Sequence, residues 1–477
     1  MKTRILSAIL LFSVLLIGNA KAENIDLLTA KQIGAYYFSV ATGAKAPITA
    51  DNLKPCMQFD NPTLCVPAMY AFNVAGDGFI IVSASDCTEP ILAYSPVGQL
   101  DPENISPACQ YMLDSYAALI SDNQNNNAQP SAEVQALWQP LRDHTFTCDP
   151  ASKAVLVQSK WNQDAPYNLW CPTKNGTRCP AGCVATAMGQ IIHFWKFPEV
   201  GGEVEPTASF SWNGQTIRYK FRVDSNRFDF ANMPNTITYN SSYERKRAIG
   251  KLLFACGVTV KMNWAPDGSG AYSPDVPVAF YKYFNYNSAA TYIQRRDYSN
   301  KQWLDILHDE LDNHRRPVYY SASDPSGTGR DAAGHAFVIA GSSSDNETKF
   351  YIRWGWGGRS DGFFTLSPAS SIESAGGYTF SSGHGMVYKI YPNTLGINDN
   401  TAYTEAPCYP NPASDYLMIP SDLPLNAALT IYSVDGKIVD NLIIPGGTKE
   451  YRLNLQGYAP GLYIYRLNGN AVKFTVK

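Results

Sequence analysis

The sequence predicts an α+β protein built from consecutive units, and three observations carry that reading. Apolar runs of helical period alternate with short β-branched and aromatic runs through residues 23–393, whereas only the short runs recur beyond 404. Polar, turn-forming stretches near 149–156 and 394–404 divide the chain. The 477 residues are 45% hydrophobic and 17% charged, with 30 tyrosines, 35 glycines and 31 prolines, a composition of packed domains rich in strands and turns. The expected organisation is a folded α+β unit at 23–150, a unit with a helical part and an antiparallel sheet at 151–393, a linker at 394–404 and a small β-sandwich at 405–477.

The first 22 residues read as a secretory signal. Met1-Lys-Thr-Arg4 is basic, residues 5–18 are apolar, and Ala20-Lys-Ala22 is a small-x-small cleavage site. No later run is apolar enough to span a bilayer. A net charge of −3 without a basic or acidic block argues against nucleic acid or an anionic membrane as a dedicated partner. Export permits disulfides among the ten cysteines, and Cys56/Cys65 and Cys171/Cys179 are close pairs, but spacing leaves the connectivity open.

In the first unit, residues 27–42 form an amphipathic helix, and the runs 68–74 and 78–83 form a hairpin about Ala75-Gly-Asp77. Residues 91–94 give a further strand, and 108–121 and 132–141 are helical. No convergent set of reactive side chains appears here, so a folded prosegment is the expected role.

The second unit holds the chemistry. Cys179-Pro-Ala-Gly-Cys183 opens an apolar helical run that Pro198 stops, with Val184, Met188, Ile191, Ile192 and Trp195 at helical spacing. A thiol at the first turn of a helix faces unpaired N–H groups and the positive dipole end, and both favour thiolate. Gln163, in the polar turn Trp161-Asn-Gln-Asp-Ala-Pro-Tyr-Asn168, can donate its amide to a developing oxyanion. Residues 242–256 and 300–313 are helical, and the loop Trp264-Ala-Pro-Asp-Gly-Ser-Gly-Ala271 leaves room for a peptide backbone. Strands follow at 317–321, 334–341 and 349–358, with 363–366 extending the sheet. A period-two pattern puts Ile352, Trp354 and Trp356 on one face.

Of the six histidines, His335 is the expected base, because it starts an apolar strand after a loop. His193 lies ten residues along the helix from Cys183, roughly 15 Å away by helical rise. His144 precedes the second unit, His308 and His314 fall in a polar helix where solvent is expected to reach them, and His384 in a Ser/Gly loop is the competitor. Cys179-x3-Cys183 lacks a second Cys/His pair at zinc-finger spacing, and no Gly-x-Ser-x-Gly elbow is present. Neither a metal nor a cofactor is expected.

Gly182-Cys-Val-Ala-Thr-Ala187, Gly334-His-Ala-Phe-Val-Ile339, Trp354-Gly-Trp-Gly-Gly358 with the following Ser-Asp-Gly-Phe-Phe364, and the 161–168 turn resemble the streptopain family of papain-like cysteine peptidases. The strand 78–83 and Ile91-Leu-Ala-Tyr-Ser95 resemble that family's inhibitory prodomain. The resemblance implies a papain-like two-subdomain catalytic domain with Cys183 as nucleophile, His335 as general base, and Gln163 with the Cys183 backbone N–H as oxyanion hole. It implies Trp354 beside the catalytic histidine, Trp356 in support, and Ser269, Gly270 and Gly334 against the substrate. It further implies a zymogen whose prodomain inhibits the cleft until cut near 149–156, acting on protein or peptide substrates. Family members often carry Asn before the first tryptophan, where this chain has Arg353; by alternation Arg353 points away from the tryptophan face, so activity is expected to survive.

Beyond the linker, β-runs at 416–419, 429–434, 437–439, 451–453, 461–467 and 472–476 alternate with turns, one of them the Asp-Gly hairpin of 434–437. Tyr409-Pro-Asn-Pro-Ala-Ser-Asp415, the 461–465 strand and the terminal Lys-Phe-Thr-Val-Lys477 resemble the C-terminal sorting domain of type IX secretion. That implies passage through the periplasm of a Gram-negative cell, followed by release or attachment at its surface. Two other readings compete: a papain-like acyltransferase or amidase, such as a transglutaminase or cell-wall amidase, and a non-enzymatic surface-binding protein.

Overall fold

Most of the described helices begin where a side chain caps their first turn. Asp26, Ser106, Ser131, Ser242 and Ser299 each accept a backbone N–H at the start of α1 (Leu27–Ala41), α2 (Pro107–Asn125), α3 (Ala132–Arg142), α5 (Tyr243–Thr259) and α7 (Asn300–His308). The remaining two are α4 (Cys183–Trp195), entered through Gly182, and α6 (Val276–Phe284), with Pro277 in its first turn. The computed structural model describes residues 23–148, 155–202, 207–212, 215–222, 227–323, 334–345, 347–366, 368–370, 383–393, 408–421, 427–434, 437–445, 447–467 and 470–477. The signal sequence, the 149–154 stretch, the loop at 324–333 and the linker lie outside the described residues.

Residues 1–393 fall in one compact unit and 394–477 in a second. The first unit is organised on a ten-stranded antiparallel sheet whose strands we number in chain order: β1 (Leu53–Asp60), β2 (Pro67–Val74), β3 (Phe79–Ser83), β4 (Ile91–Ser95), β5 (Thr291–Gln294), β6 (Val318–Ser323), β7 (Gly334–Ser342), β8 (Lys349–Arg353), β9 (Gly362–Thr365) and β10 (His384–Tyr388). Their spatial order is β1-β2-β3-β4-β9-β8-β7-β6-β10-β5. Strands from the two ends of this unit meet where Tyr94 pairs with Phe363 and Ala93 with Phe364.

The sheet buries both faces, which explains its near-continuous apolar strands. On one face α4 and α5 bring Val184, Met188, Leu252 and Leu253 against Ala336, Val338 and Ala340. On the other, α2 and α7 bring Leu113, Tyr116, Trp303 and Leu307 against Phe337, Ile339, Trp354 and Phe364. A third core packs α1 and α3 on β2 and β3 through Phe38, Trp138, Phe72 and Ile80.

Several expectations need correction. The strand expected over 349–358 ends at Arg353, because Gly355, Gly357 and Gly358 adopt φ of +72°, +72° and +86°, left-handed values that end pleating. Trp354 and Trp356 therefore stand on a loop, not on alternate positions of a strand. His384 is not in a loop: it opens β10. The helix expected over 300–313 is α-helical only to His308 and widens into a single π turn at Asp309–Asn313. β1, β5 and α6 had no clear periodic signal; β1 is an edge strand with a half-exposed pattern and a proline, as edges tolerate.

The second unit packs a two-stranded sheet (Tyr416–Pro420 with Glu450–Asn454) against a four-stranded one. The latter runs in the order Ile438–Ile444, Ala427–Ser433, Gly461–Leu467, Asn470–Val476. Leu417, Ile419 and Leu453 from one sheet and Leu429, Ile431 and Phe474 from the other fill its core, which makes it a small β-sandwich.

Candidate active site

Gly182 delivers Cys183 to the helix entrance. Its φ of +89° suits glycine alone, and a Cβ there would stand 2.7 Å from Met262 Cε and 2.8 Å from Ser269 O. No side chain caps α4, so its first N–H groups stay available, and the Cys183 thiol is approached by the backbone N–H of Val184 as well as its own. The third donor is Ala336 N–H on β7, the residue after His335. These donors lower the thiol pKa, but burial is the larger effect and pushes it above the ordinary cysteine value. The thiolate expected from the helix terminus alone is thus not the resting form.

His335 is half-buried at the start of β7, opposite Ala322 of β6. Burial lowers its pKa, so the imidazole rests neutral. Residues 335, 337 and 339 share the face of β7 that packs toward α2, whereas Ala336 and Val338 pack toward α4. Cys183 accordingly meets β7 through the Ala336 backbone, and among the described residues no hydrogen bond joins Cys183 to the His335 ring.

Gln163 is buried, and its carbonyl accepts Ala181 N–H at 2.7 Å, two residues before the thiol. Among the described residues its side-chain amide meets no protein partner. Trp354 is fully buried, with its ring 4.8 Å from Phe337 and 5.0 Å from Phe364, and its indole N–H donates to Ser360 O at 2.9 Å. Trp356 is half-buried on the same loop. Ser269 borders the Gly182 turn and donates its hydroxyl to Pro180 O at 2.8 Å, while Gly270 pairs with Asn263. Gly334 is exposed at the edge of β7. The structure thus gathers Gln163, Ser269 and Ala336 around Cys183 and sets Trp354 on the far face of the sheet with His335.

The other histidines have structural partners. His193 bonds Met233 O at 2.6 Å beside the Trp161 ring, and burial takes its pKa down to about 4. His384 is buried, bonds Tyr320 Oη at 2.9 Å and is pushed down to about 3. His308, expected to be solvated, is half-buried and bonds both Asp312 and Glu347 O. All ten cysteines are thiols in the structure. Sequence reasoning missed Asp361: it lies inside the quoted tryptophan motif, but only the fold shows its carboxylate accepting Trp354 N–H at 3.0 Å and pairing with Arg353 at 2.9 Å. No helix among the described residues is long and apolar enough to cross a membrane.

Comparison with known proteins decides the family. The Peptidase C10 family model matches residues 161–364. The chain is 30% identical over 345 residues to streptopain of Streptococcus pyogenes, covering 68% of this chain and 81% of the relative. The chain belongs to the Peptidase C10 (streptopain) family. It is also 29% identical over 388 residues to the thiol protease/hemagglutinin PrtT of Porphyromonas gingivalis, spanning 78% of this chain but 42% of that longer protein. A Spi protease inhibitor model matches residues 22–120 and a secretion system C-terminal sorting domain matches 407–477. Among solved structures, a fragment of Prevotella intermedia prointerpain A superposes with a TM-score of 0.56 at 26% identity, covering 72% of this chain and 99% of that one. This Peptidase C10 member is a cysteine peptidase with an inhibitor-like prodomain, and its sorting domain marks it for type IX secretion or display at the cell surface. Transglutaminase, amidase and purely binding readings are not favoured.

Proposed function

We propose that this chain is a secreted endopeptidase held latent by its own prodomain (23–150) over a catalytic domain (151–393), with Cys183 and His335 as its nucleophile and base. The observation that carries the reading is the convergence on the α4 entrance. Cys183 Sγ meets the Ala336 N–H beside His335, while Gln163 is fastened by its carbonyl to Ala181. In turnover His335 takes the thiol proton and Cys183 attacks the peptide carbonyl. The oxyanion accepts N–H bonds from Cys183 and the Gln163 amide. His335 then gives its proton to the leaving amine, and water hydrolyses the thioester. Ser269, Gly270, Gly334 and Trp356 line the approach to the thiol as substrate contacts.

Latency has a physical basis in the uncleaved chain. Burial biases both reacting groups toward thiol and neutral imidazole, and by strand alternation His335 falls on the face of β7 shared by Phe337 and Ile339. On the α1 face of the sheet Glu89 pairs with Lys349 at 2.7 Å, and Tyr94 and Tyr37 both donate to Asp345. On the α2 face Tyr116 donates to Thr365 O at 2.6 Å beside the apolar contacts. Cleavage within 149–156 frees this face and lets the His335 ring reach Cys183.

A peptidyl thiol-reactive probe is expected to label the matured wild type and not Cys183→Ser, and the wild type to digest casein. Labelling of Cys183→Ser at the wild-type level would overturn the assignment. Purified Cys183→Ala is expected to stay as an uncleaved zymogen; maturation at the wild-type rate would exclude self-processing.

A further inference from the structure

We infer that Arg353 and Asp361 are positioning residues that lock the segment 155–163 to the tryptophan loop, so that the oxyanion donor and the aromatic wall are held as one unit. The inference rests on the roles proposed above for Cys183 and Gln163. Arg353 ends β8 with its guanidinium buried. Its Nη1 donates to Asp361 Oδ2 and its Nε to Val157 O, both at 2.9 Å. The second Asp361 oxygen accepts Trp354 N–H at 3.0 Å, so a single carboxylate joins the arginine to the tryptophan backbone. Burial raises the Asp361 pKa, and the Arg353 charge and hydrogen bond oppose that rise.

Val157 belongs to the first described strip of chain after the 149–154 stretch, and that strip is tied down at successive points. Leu156 N–H donates to Ala340 O at 2.6 Å, Arg353 holds Val157 O, and Gly357 N–H donates to Trp161 O at 3.0 Å. Six residues beyond Val157 is Gln163, whose carbonyl is held by Ala181 N–H just before the thiol. The strip thus reaches the thiol turn at one end and the tryptophan loop along its length. The guanidinium is its planar two-pronged link, since Nε and Nη1 serve two acceptors at once. A lysine there keeps the charge and can serve one acceptor in that geometry. A displacement of about 1 Å at a reacting centre can cost on the order of a hundredfold in rate.

The experiment measures kcat and KM, on a peptide amide, of the matured enzyme obtained from the full chain carrying Arg353→Lys, Asp361→Asn, Gln163→Ala or the Arg353→Lys/Gln163→Ala double variant. The alkylation rate of Cys183 by iodoacetamide, a reaction that uses no oxyanion hole, is measured alongside. Arg353→Lys and Asp361→Asn are expected to lower kcat by about tenfold to a hundredfold with KM held within about twofold. Alkylation of Cys183 is expected to stay within about twofold of wild type, and the double variant to be no slower than Gln163→Ala alone, as groups acting through one unit behave. Wild-type kcat in both Arg353→Lys and Asp361→Asn beside an impaired Gln163→Ala overturns this inference alone. So does a double variant whose losses multiply, or alkylation that falls in step with kcat. Full activity in Gln163→Ala overturns the oxyanion-hole assignment and this inference with it. Asp361→Asn keeps an acceptor for Trp354 N–H, so it serves where Arg353→Lys does not yield folded protein.

Discussion

Replacing Lys349 by methionine leaves the Glu89 carboxylate buried without its cation. The pair is closed at 2.7 Å with the two side chains 3% and 1% exposed, so water cannot take over the lost charge. The other Glu89 oxygen accepts Thr365 Oγ1 at 3.1 Å and Ala369 N–H at 3.2 Å, which keeps two neutral donors on the carboxylate but no counter-charge. Breaking a buried pair from one side costs about 3–5 kcal/mol, more than the pair itself contributes, because an uncompensated charge stays behind. With a urea dependence of about 3 kcal/mol/M, the unfolding midpoint is expected to fall by about 1 M. The assay is equilibrium urea unfolding, followed by tryptophan fluorescence, of the full chain carrying Cys183→Ala, which removes self-cleavage. Adding Glu89→Gln neutralises the stranded charge and preserves an acceptor, so it is expected to recover at least half of the loss. A Lys349→Met midpoint within about 0.2 M of the parent would refute the reasoning, since that shift corresponds to under 1 kcal/mol. Because Glu89 and Lys349 come from the two parts of the sheet that meet at Tyr94 and Phe363, the same variant in an active background should mature faster than wild type.

Four further outcomes follow from the same geometry. Gln163→Ala is expected to lower kcat on a peptide amide by about 10²–10³-fold with little change in KM, the loss typical of one oxyanion donor; a wild-type kcat removes Gln163 from the hole. Gly182→Ala forces a side chain into a φ of +89° against Met262 and Ser269 O, so peptidase activity and probe labelling of Cys183 should both be lost, and a fully active variant would contradict the crowding. His193 sits at about 4 in the fold against 6.5 unfolded, so the unfolded chain binds the extra proton and stability present above pH 6.5 is lost as pH falls toward 4. That loss is of the order of 3 kcal/mol, and urea midpoints at pH 7.5 and 4.5 should converge in His193→Gln relative to the parent; an unchanged difference excludes His193 as its source. Deleting 405–477 is expected to trap the protein in the periplasm, and unchanged secretion of the truncated chain would remove the sorting role.

Local chemistry alone determined a good deal of this protein. Helical spacing around Met188 and Ile191 and the short apolar runs of β2, β3 and β7 are short-range signals, so α1 to α5 and the main strands were legible before any tertiary contact was known. The motifs carrying Cys183, His335, Gln163 and Trp354 were legible for the same reason, as was the sandwich at the end of the chain. Long-range packing decided the rest. The joining of β4 to β9 in one sheet depends on residues about 270 apart in the chain, which no window of sequence contains. The Cys183 thiol looked activated from its helix position, but desolvation by the surrounding fold outweighs the N-terminal donors. The tryptophan motif looked like a strand because its residues alternate, whereas left-handed glycines turn it into a loop that a buried carboxylate and guanidinium help to hold in place. Arg353 read as a departure facing away from the chemistry; its two partners, Val157 and Asp361, are far and near in sequence, and only the folded chain puts both within reach of one side chain.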